Sequence, residues 1–259
     1  MNRLTYLSAI LLAGLTLQSC EEVWYHCVEG NGNRVTETRD LGTFSQIQVN
    51  GDFEVQVDTG AVSTAKIEAD ENLMGLIVTH ISGDKLIIEA RDGGCLQPSH
   101  PIEITVTTPA VSNIDLNGSG YVYCYGLETD ELEVRLAGSG QIDCYELIAS
   151  AVTYELEGSG LINSNLTVET LVSQVEGSGE IRLSGTAVSE DLKIIGSGRI
   201  KADQVNTDAC VVYISGSGIA DTWVNNALDV TIIGSGIVYY EGNPTVESYI
   251  SGSGKVIKH

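Results

Sequence analysis

The stretch Ile114-Asp115-Leu116-Asn117-Gly118-Ser119-Gly120-Tyr121-Val122 decides the fold, because its central Gly-Ser-Gly triplet returns at regular intervals. The eight triplets begin at Gly118, Gly138, Gly158, Gly177, Gly196, Gly216, Gly234 and Gly252, so successive copies lie 18 to 20 residues apart. Sixteen of the 29 glycines belong to these triplets. The glycine content therefore indicates an ordered structural repeat and argues against a flexible linker.

Apolar columns accompany the triplet. The residue two positions before it is aliphatic in every copy: Leu116, Leu136, Leu156, Val175, Ile194, Ile214, Ile232 and Ile250. The residue two positions after it is apolar in every copy: Val122, Ile142, Ile162, Ile181, Ile200, Ala220, Val238 and Val256. Six positions before the triplet, apolar residues recur at Leu132, Val152, Leu171, Cys210, Leu228 and Val246. This period-two alternation is typical of strands, and the repeats contain no sustained helical stripe.

A unit of this length cannot bury its own apolar face, so successive units must stack on one another. Stacking equal coils places each strand in parallel beside the same strand of the next coil, about 4.8 Å away. Because parallel crossovers are overwhelmingly right-handed, the sequence predicts an all-β fold, a right-handed parallel β-helix with coils of 18–20 residues.

The triplet itself is predicted to form a corner of each coil. Leu116, Gly118 and Gly120 share one parity, so both glycines face inward and Ser119 faces outward. Glycine tolerates the close backbone approach and the positive φ that a corner requires. A phosphate-binding loop is the alternative, but such loops need a helix behind them, and the sequence shows none.

Residues 40–117 are predicted to form an irregular, strand-rich N-terminal cap and the first coils, since terminal repeats of solenoids are atypical. Pro98, Pro101 and Pro109 precede the first triplet, whereas Pro244 alone lies within the repeats. Interior ladder strands exclude proline, which cannot donate a backbone hydrogen bond. Residues 118–259 then form the regular β-helix.

Residues 1–20 are predicted to be a lipoprotein signal peptide. Arg3 supplies a positive start, a mainly apolar run covers residues 7–17, and Leu17-Gln18-Ser19-Cys20 ends the segment. The run is shorter than the ~20 residues that a membrane span needs. A small residue directly before a cysteine resembles the bacterial lipobox, so Cys20 is the predicted lipidation site; an ordinary signal peptide that contains a cysteine is the alternative.

Residues 21–39 would then form an N-terminal tether behind a lipid anchor in the membrane. The expected location is the cell envelope, as an outer-membrane lipoprotein that is either periplasmic or surface-exposed. Neither the sequence of the tether nor its charge distinguishes the two sides of that membrane.

The charge balance excludes several classes of protein. The 259 residues include 13 Lys and Arg against 35 Asp and Glu, a formal net charge of −22. Binding to nucleic acid needs clustered basic residues to neutralise phosphates, so we expect no nucleic-acid partner. No Cys/His cluster has the spacing of a zinc site, and we expect neither a metal nor another cofactor.

Five cysteines remain after Cys20, an odd number, so at least one is not paired within the chain. Cys124 and Cys144 occupy the same offset in adjacent coils, and they either form a disulfide or stack as small apolar residues. Cys27 and Cys95 are the other candidate pair, which would tie the start of the chain to the cap. Cys210 takes a core position and is expected to remain a buried thiol.

An ordered series of motifs precedes the first triplet. It runs through Phe44-x-x-Ile47-x-Val49-x-Gly51-x-Phe53-x-Val55, Glu68-Ala69-Asp70-Glu71-Asn72-Leu73, Gly83-Asp84-Lys85-Leu86 and Ile104-x-Val106-x-x-Pro109. In this order, over residues 40–257, the chain resembles the head GIN domain family. The resemblance implies an exported, β-helical, adhesin-like lipoprotein of the kind frequent in Bacteroidetes, and it brings no catalytic residues.

One outward row offers the best case for catalysis. Three positions after the triplets stand Tyr123, Asp143, Asn163, Arg182, Lys201, Asp221 and Tyr239. Two acids and two bases of this row suit general acid–base chemistry on acidic sugars, as in pectinase-like β-helix enzymes. Asp143 and Asp221, however, would lie four coils or ~19 Å apart, beyond the ~10 Å limit for paired glycosidase carboxylates. A solvated charge ladder is the favoured interpretation, and we predict no catalytic residue.

Four tyrosines form the candidate binding site. Tyr121, Tyr123 and Tyr125 alternate with inward-facing residues and should project outward, and Tyr145 lies one coil beyond Tyr125. Exposed tyrosines suit sugar or protein contacts. The structural alternative is a stacked pair that only stabilises the sheet.

The predicted function is therefore an exported, adhesin-like binding or envelope scaffold module without catalytic activity, with a glycan or a surface protein as its ligand. The alternatives are a pectinase-like enzyme that acts on acidic glycans, and a structural protein that self-assembles into a homo-oligomer through exposed end strands.

Overall fold

The structure of the protein is a computed structural model, and it describes residues 27–259. The expected signal peptide, Cys20 and the first part of the expected tether lie outside the described residues. Helix α1 (Glu71–Met74) and a 3₁₀ turn (Arg91–Gly93) are short, and almost all the rest is strand. The strands are β1 (Val28–Glu29), β2 (Arg34–Asp40), β3 (Gln46–Asn50), β4 (Glu54–Thr59), β5 (Thr64–Asp70), β6 (Ile77–Ser82), β7 (Lys85–Ala90), β8 (Leu96–Gln97), β9 (Glu103–Thr108), β10 (Asn113–Gly118), β11 (Tyr121–Tyr125), β12 (Glu128–Gly138), β13 (Gln141–Gly158), β14 (Leu161–Gly177), β15 (Glu180–Gly196), β16 (Arg199–Gly216), β17 (Ile219–Gly234), β18 (Ile237–Gly242), β19 (Thr245–Gly252) and β20 (Lys255–Lys258).

The repeats form a parallel β-solenoid of about seven turns. Strands β13 to β17 each follow one whole coil, and each pairs in parallel with the strand of the coil before and after it. The triplets set the register: Gly158 is paired with Gly138 on one side and with Gly177 on the other. The predicted parallel β-helix and its stacking of equal positions are confirmed.

The third coil shows why each triplet needs two glycines. Gly158 has φ of +118°, a conformation that residues with a Cβ rarely adopt. A Cβ on Gly160 would lie 2.6 Å from both the carbonyl oxygen of Gly140 and the Cδ2 atom of Leu136. Ser159 is exposed, and its N–H donates to the carbonyl oxygen of Gly138 at 3.0 Å. The triplet is thus a corner at which successive coils approach too closely for a side chain.

The core is a stack of inward-facing side chains along the solenoid. The aliphatic columns on either side of the triplet are buried in the inner coils, whereas Ile250 in the last turn stays exposed. A buried leucine or isoleucine stabilises the fold by roughly 1.5–3 kcal/mol, so the repeated columns supply most of the driving force. The column six positions before the triplet is interrupted by buried Glu190, which lies in register between Leu171 and Cys210.

The first coils do not follow one another in chain order. Strands β3 and β4 pair in parallel with β10 and β11 on one side. On the other side they pair in parallel with β7 and β9. The coil of residues 46–59 therefore lies between two coils that come later in the chain.

The N-terminal end is closed by antiparallel strands. Strand β5 pairs with β9 on one side and with β2 on the other, and β6 pairs with β7. Residues 28–39 of the expected tether supply β1 and all of β2 except its last residue, Asp40. Backbone hydrogen bonds to β5, a disulfide at Cys27 and the Arg39 guanidinium, which donates to the Ile77 carbonyl at 2.8 Å, hold this segment on the cap.

Within residues 27–259, no helix combines the length and the apolar character that a membrane crossing requires.

Candidate functional site

The candidate site lies on one side of the solenoid, which we call the front face: the outward side of the sheet formed by the strand segments that follow the triplets, together with β4 and β9. The pairing of these segments is parallel from β9 to β20, and it is in register at the position three residues after each triplet. The row considered for catalysis is one residue per coil: Tyr123, Asp143, Asn163, Arg182, Lys201, Asp221 and Tyr239.

Four tyrosines gather at one end of this row. Tyr125 is 54% and Tyr145 is 37% exposed, whereas Tyr121 and Tyr123 are half-buried. Tyr125 and Tyr145 are register partners, but the ring contact joins Tyr123 and Tyr145, with centroids 6.3 Å apart and planes at 51°. This distance lies within the range of favourable aromatic pairs. The cluster combines exposed aromatic area with a fixed geometry.

Asp143 holds the tyrosine end of the row in place. Its carboxylate accepts hydrogen bonds from the Tyr121 hydroxyl at 2.9 Å, from Gln141 Nε2 at 3.0 Å and from Asn163 Nδ2 at 2.6 Å. Burial and the hydrogen bond to Asp143 raise the pKa of Tyr121, so its hydroxyl stays protonated and donates. With both oxygens engaged and the side chain nearly buried, Asp143 is a positioning group and a poor general base.

Asp221 is engaged in a different way. Its Oδ2 atom accepts from Arg199 through Nε at 2.9 Å and through Nη2 at 2.8 Å. Four register steps separate Asp143 from Asp221 along the row. The two carboxylates therefore do not form the acid–base pair that glycoside hydrolysis requires.

A shallow groove begins beside Tyr145 and runs along the row. Its lining includes Asn163, Arg182, Lys201, Asp203 and Gln204. Arg182 donates through Nη2 to Glu180 at 2.9 Å, and Lys201 has no ion-pair partner among the described residues. The sequence row identified Arg182 and Lys201, but it missed Asp203 and Gln204, because the register of β15 and β16 shifts between residues 182 and 184.

None of the described cysteines lines the groove, and four of them form disulfides. Cys27 is bonded to Cys95, and Cys124 is bonded to Cys144 in the next coil, with Cα atoms 4.5 Å and 4.8 Å apart respectively. Cys210 is a free, buried thiol. No group of three His, Cys, Asp or Glu side chains within residues 27–259 is arranged to bind a metal ion.

A buried carboxyl group was missed by the sequence analysis. Glu190 is 3% exposed and accepts a hydrogen bond from the Thr222 hydroxyl at 2.9 Å, while its second oxygen has no partner. Burial raises the pKa of Glu190 to about 7. The signal was available, because the column six positions before the triplet is apolar in six of its eight copies and has its one charged residue at position 190.

Fold and site together define a class of protein: a parallel β-solenoid whose front face presents one aromatic, polar or charged side chain per coil. Residues 43–244 match the family described as "Putative auto-transporter adhesin, head GIN domain". The chain belongs to this family, and the resemblance seen in its motifs is confirmed. A comparison with curated proteins gave no match.

Several solved structures are similar. A protein from Parabacteroides distasonis, described as a putative lipid binding protein, is 25% identical, with a TM-score of 0.85 over 90% of this chain and 100% of that one. A putative adhesin from Parabacteroides merdae is 22% identical, with a TM-score of 0.83 over 90% of this chain and 98% of that one. A putative adhesin from Bacteroides fragilis is 21% identical, with a TM-score of 0.69 over 90% of this chain and all of its own. The two adhesins show the fold alone.

Proposed function

We propose that the protein is a non-catalytic, adhesin-like module of the cell envelope that binds glycans along its front face. The observation that carries the proposal is the continuous surface formed by the tyrosine cluster and the adjoining groove. Tyrosine rings offer flat area with little loss of conformational freedom, and amides such as Asn163 supply hydrogen bonds to hydroxyl groups. Membership of a family described as adhesins supports a location at the cell surface or in the envelope.

The spacing of the coils suits a polymeric ligand. Adjacent coils are about 4.8 Å apart, a distance comparable with the length of one pyranose unit. A glycan that lies along the solenoid axis would present one sugar to each coil, so that Tyr145 and the residues of the groove would contact successive units. Because the contacts would repeat along the axis, many weak contacts together would give a measurable affinity.

We also propose that the protein does not cleave the glycan that it binds. Asp143 is held by three donors and Asp221 by Arg199, so neither carboxylate of the row is free to exchange protons with a substrate. An enzyme acting on uronate polymers would release products, and it would lose that activity on Asp221→Ala. We expect no product from wild-type protein incubated with pectate, measured as reducing ends.

Export and anchoring also belong to the proposal. The segment that ends in Leu17-Gln18-Ser19-Cys20 supports a lipid on Cys20 and an outer-membrane location. Metabolic labelling with a fatty acid should mark the wild-type chain and leave Cys20→Ala unlabelled. Labelling that persists in this variant would contradict the anchor.

The decisive experiment is a glycan array with the purified full chain, followed by titration of the best ligand. We expect Tyr145→Ala or Tyr125→Ala to weaken binding at least tenfold, about 1.4 kcal/mol, because each ring is exposed and supplies contact area. Tyr249→Ala is the matched control, since Tyr249 is 65% exposed on a strand that precedes its triplet, away from the front face. No bound glycan, or equal losses in all three variants, would overturn the proposal.

A lipid is the second candidate ligand. The similar protein from Parabacteroides distasonis is described as a putative lipid binding protein, and this chain exposes Ile195, Val211 and Ile233 on another side of the solenoid. Co-sedimentation with phosphatidylethanolamine vesicles distinguishes a lipid ligand from a glycan ligand. Lipid binding should depend on Ile195 and Ile233, whereas glycan binding should depend on Tyr145. Light scattering in the same buffers tests the third idea, a homo-oligomer built through the end strands.

A further inference from the structure

We propose that Arg182 and Lys201 form an anion subsite in the front-face groove, which selects an acidic sugar, carboxylated or sulfated, within the bound glycan. This inference rests on the proposed function and names the class of its ligand. It is unexpected from composition, because a chain with a net charge of −22 repels anions as a whole.

The pairing of β15 with β16 makes the two cations neighbours. Arg182 on β15 is the register partner of Lys201 on β16, and both line the groove. Strands pair at about 4.8 Å, so the side chains of these outward positions lie side by side. Asn163, one coil before Arg182, adds an amide to the same wall. A carboxylate or sulfate of one sugar can therefore contact both cations at once.

Both cations keep donors available. Glu180 engages Arg182 at Nη2, and the Arg182 side chain is still 51% exposed. Seven of the twelve Lys and Arg residues within residues 27–259 form ion pairs, whereas Lys201 forms none. A guanidinium can hold a carboxylate or sulfate through two parallel hydrogen bonds, which are stronger than those between neutral groups.

The surrounding acids set where an anion can sit. Asp203 also lines the groove and Glu180 lies on the strand of Arg182, so both repel an anion that approaches them. We expect the anion to bind between Arg182, Lys201 and Asn163. Salt screens the repulsion from the rest of the chain beyond about 8 Å at physiological ionic strength. These nearby residues therefore determine where the anion binds.

The test compares acidic glycans with neutral counterparts of the same backbone, using the full chain. The probes are oligogalacturonate against carboxyl-reduced oligogalacturonate, and sulfated against desulfated chondroitin. We expect the acidic member of at least one pair to bind at least tenfold more tightly. Lys201→Gln and Arg182→Gln should each reduce this preference by threefold or more, because the affinity for the acidic member falls further than the affinity for the neutral member.

Lys193→Gln is the control, because Lys193 is a cation of the same coil that lies before the triplet, off the front face. Equal binding of acidic and neutral members with Tyr145 still required would overturn the anion subsite and leave the proposed function standing. A preference that survives in both Arg182→Gln and Lys201→Gln would also overturn it. If no glycan of either kind binds, both proposals fall.

Discussion

Glu190 occupies a core position whose register neighbours are Leu171 and Cys210. Thr222 donates its hydroxyl to one carboxyl oxygen, and the other oxygen is buried without a partner. An ionised carboxylate is costly in such surroundings, so the folded protein favours the protonated acid. Burial likewise raises the pKa of the Cys210 thiol, which remains neutral beside it.

This arrangement predicts a pH-dependent stability. The carboxyl pKa is about 7 in the folded protein against an ordinary value of 4.5, so between these values the native state holds a proton that the unfolded chain has lost. Stability therefore falls as pH rises from about 4.5 to about 7, by roughly 3 kcal/mol in total. The measurement is urea unfolding across this range, in the wild type and in Glu190→Leu, whose side chain suits the apolar column.

Glu190→Gln serves as the control for shape, since it keeps a hydrogen-bond acceptor for Thr222 but does not titrate. Both variants should remove most of the difference between pH 4.5 and pH 7. A wild type and a Glu190→Gln variant with the same pH profile would show that Glu190 is not the responsible group.

The triplet glycines lead to a second prediction. Gly158→Ala should destabilise the protein by at least about 2 kcal/mol, because φ at this residue is positive and a Cβ would clash with the carbonyl of the coil below. Ser159→Ala, at the exposed centre of the same triplet, should change stability by less than about 0.5 kcal/mol. Thermal unfolding of both variants tests this, and similar melting temperatures would argue that the corner tolerates a side chain.

At the scale of elements, a disulfide staples two neighbouring coils. Cys124 on β11 and Cys144 on β13 are register partners, and the bond closes a segment 20 residues long. Replacing both by Ala should lower the free energy of unfolding by about 3 kcal/mol, mainly through the freedom that the unfolded chain regains. The Cys27→Ala/Cys95→Ala pair, which opens a separation of 68 residues, should cost about 4 kcal/mol. Denaturant unfolding that places both double variants at the wild-type midpoint would contradict this.

The elements that the sequence predicts best are those that repeat. Equal spacing of the triplets fixes which residues become neighbours in adjacent coils, so the row from Tyr123 to Tyr239 could be predicted from the sequence. The strand pairing of the cap could not be predicted in this way. The pairing of β3 with β10 joins residues 67 positions apart, and β2 carries no apolar column because none of its residues is buried.

The candidate site was predictable in its identities more than in its interactions. Alternation placed Asp143 on the outer row, but only the structure shows that Tyr121, Gln141 and Asn163 saturate its carboxylate. Such contacts depend on rotamers and on irregularities within a coil, and a sequence pattern of period two does not encode either. The groove beside Tyr145 is invisible for the same reason.

At the scale of the whole molecule, charge governs stability as well as binding. The chain carries a net charge of −22, and its self-repulsion opposes folding. Raising NaCl from 0.1 M to 1 M shortens the screening length from about 10 Å to about 3 Å, so we predict a higher melting temperature in the concentrated salt. Scanning calorimetry at both concentrations tests this, with sucrose as an uncharged control for solvent effects. A melting temperature that falls with NaCl would mean that the ion pairs outweigh the repulsion.

The position of the coil of residues 46–59 has a consequence for how the chain acquires its shape. Both of its flanking coils are built from later residues, up to 108 on one side and from 113 onward on the other. A polypeptide emerging gradually from a ribosome or a translocation channel cannot wind up turn by turn from this segment. We expect residues 46–59 to wait for residues 85–108 before they pair, a slow step because the pairings are distant in sequence. Each later triplet then adds one turn to a finished template.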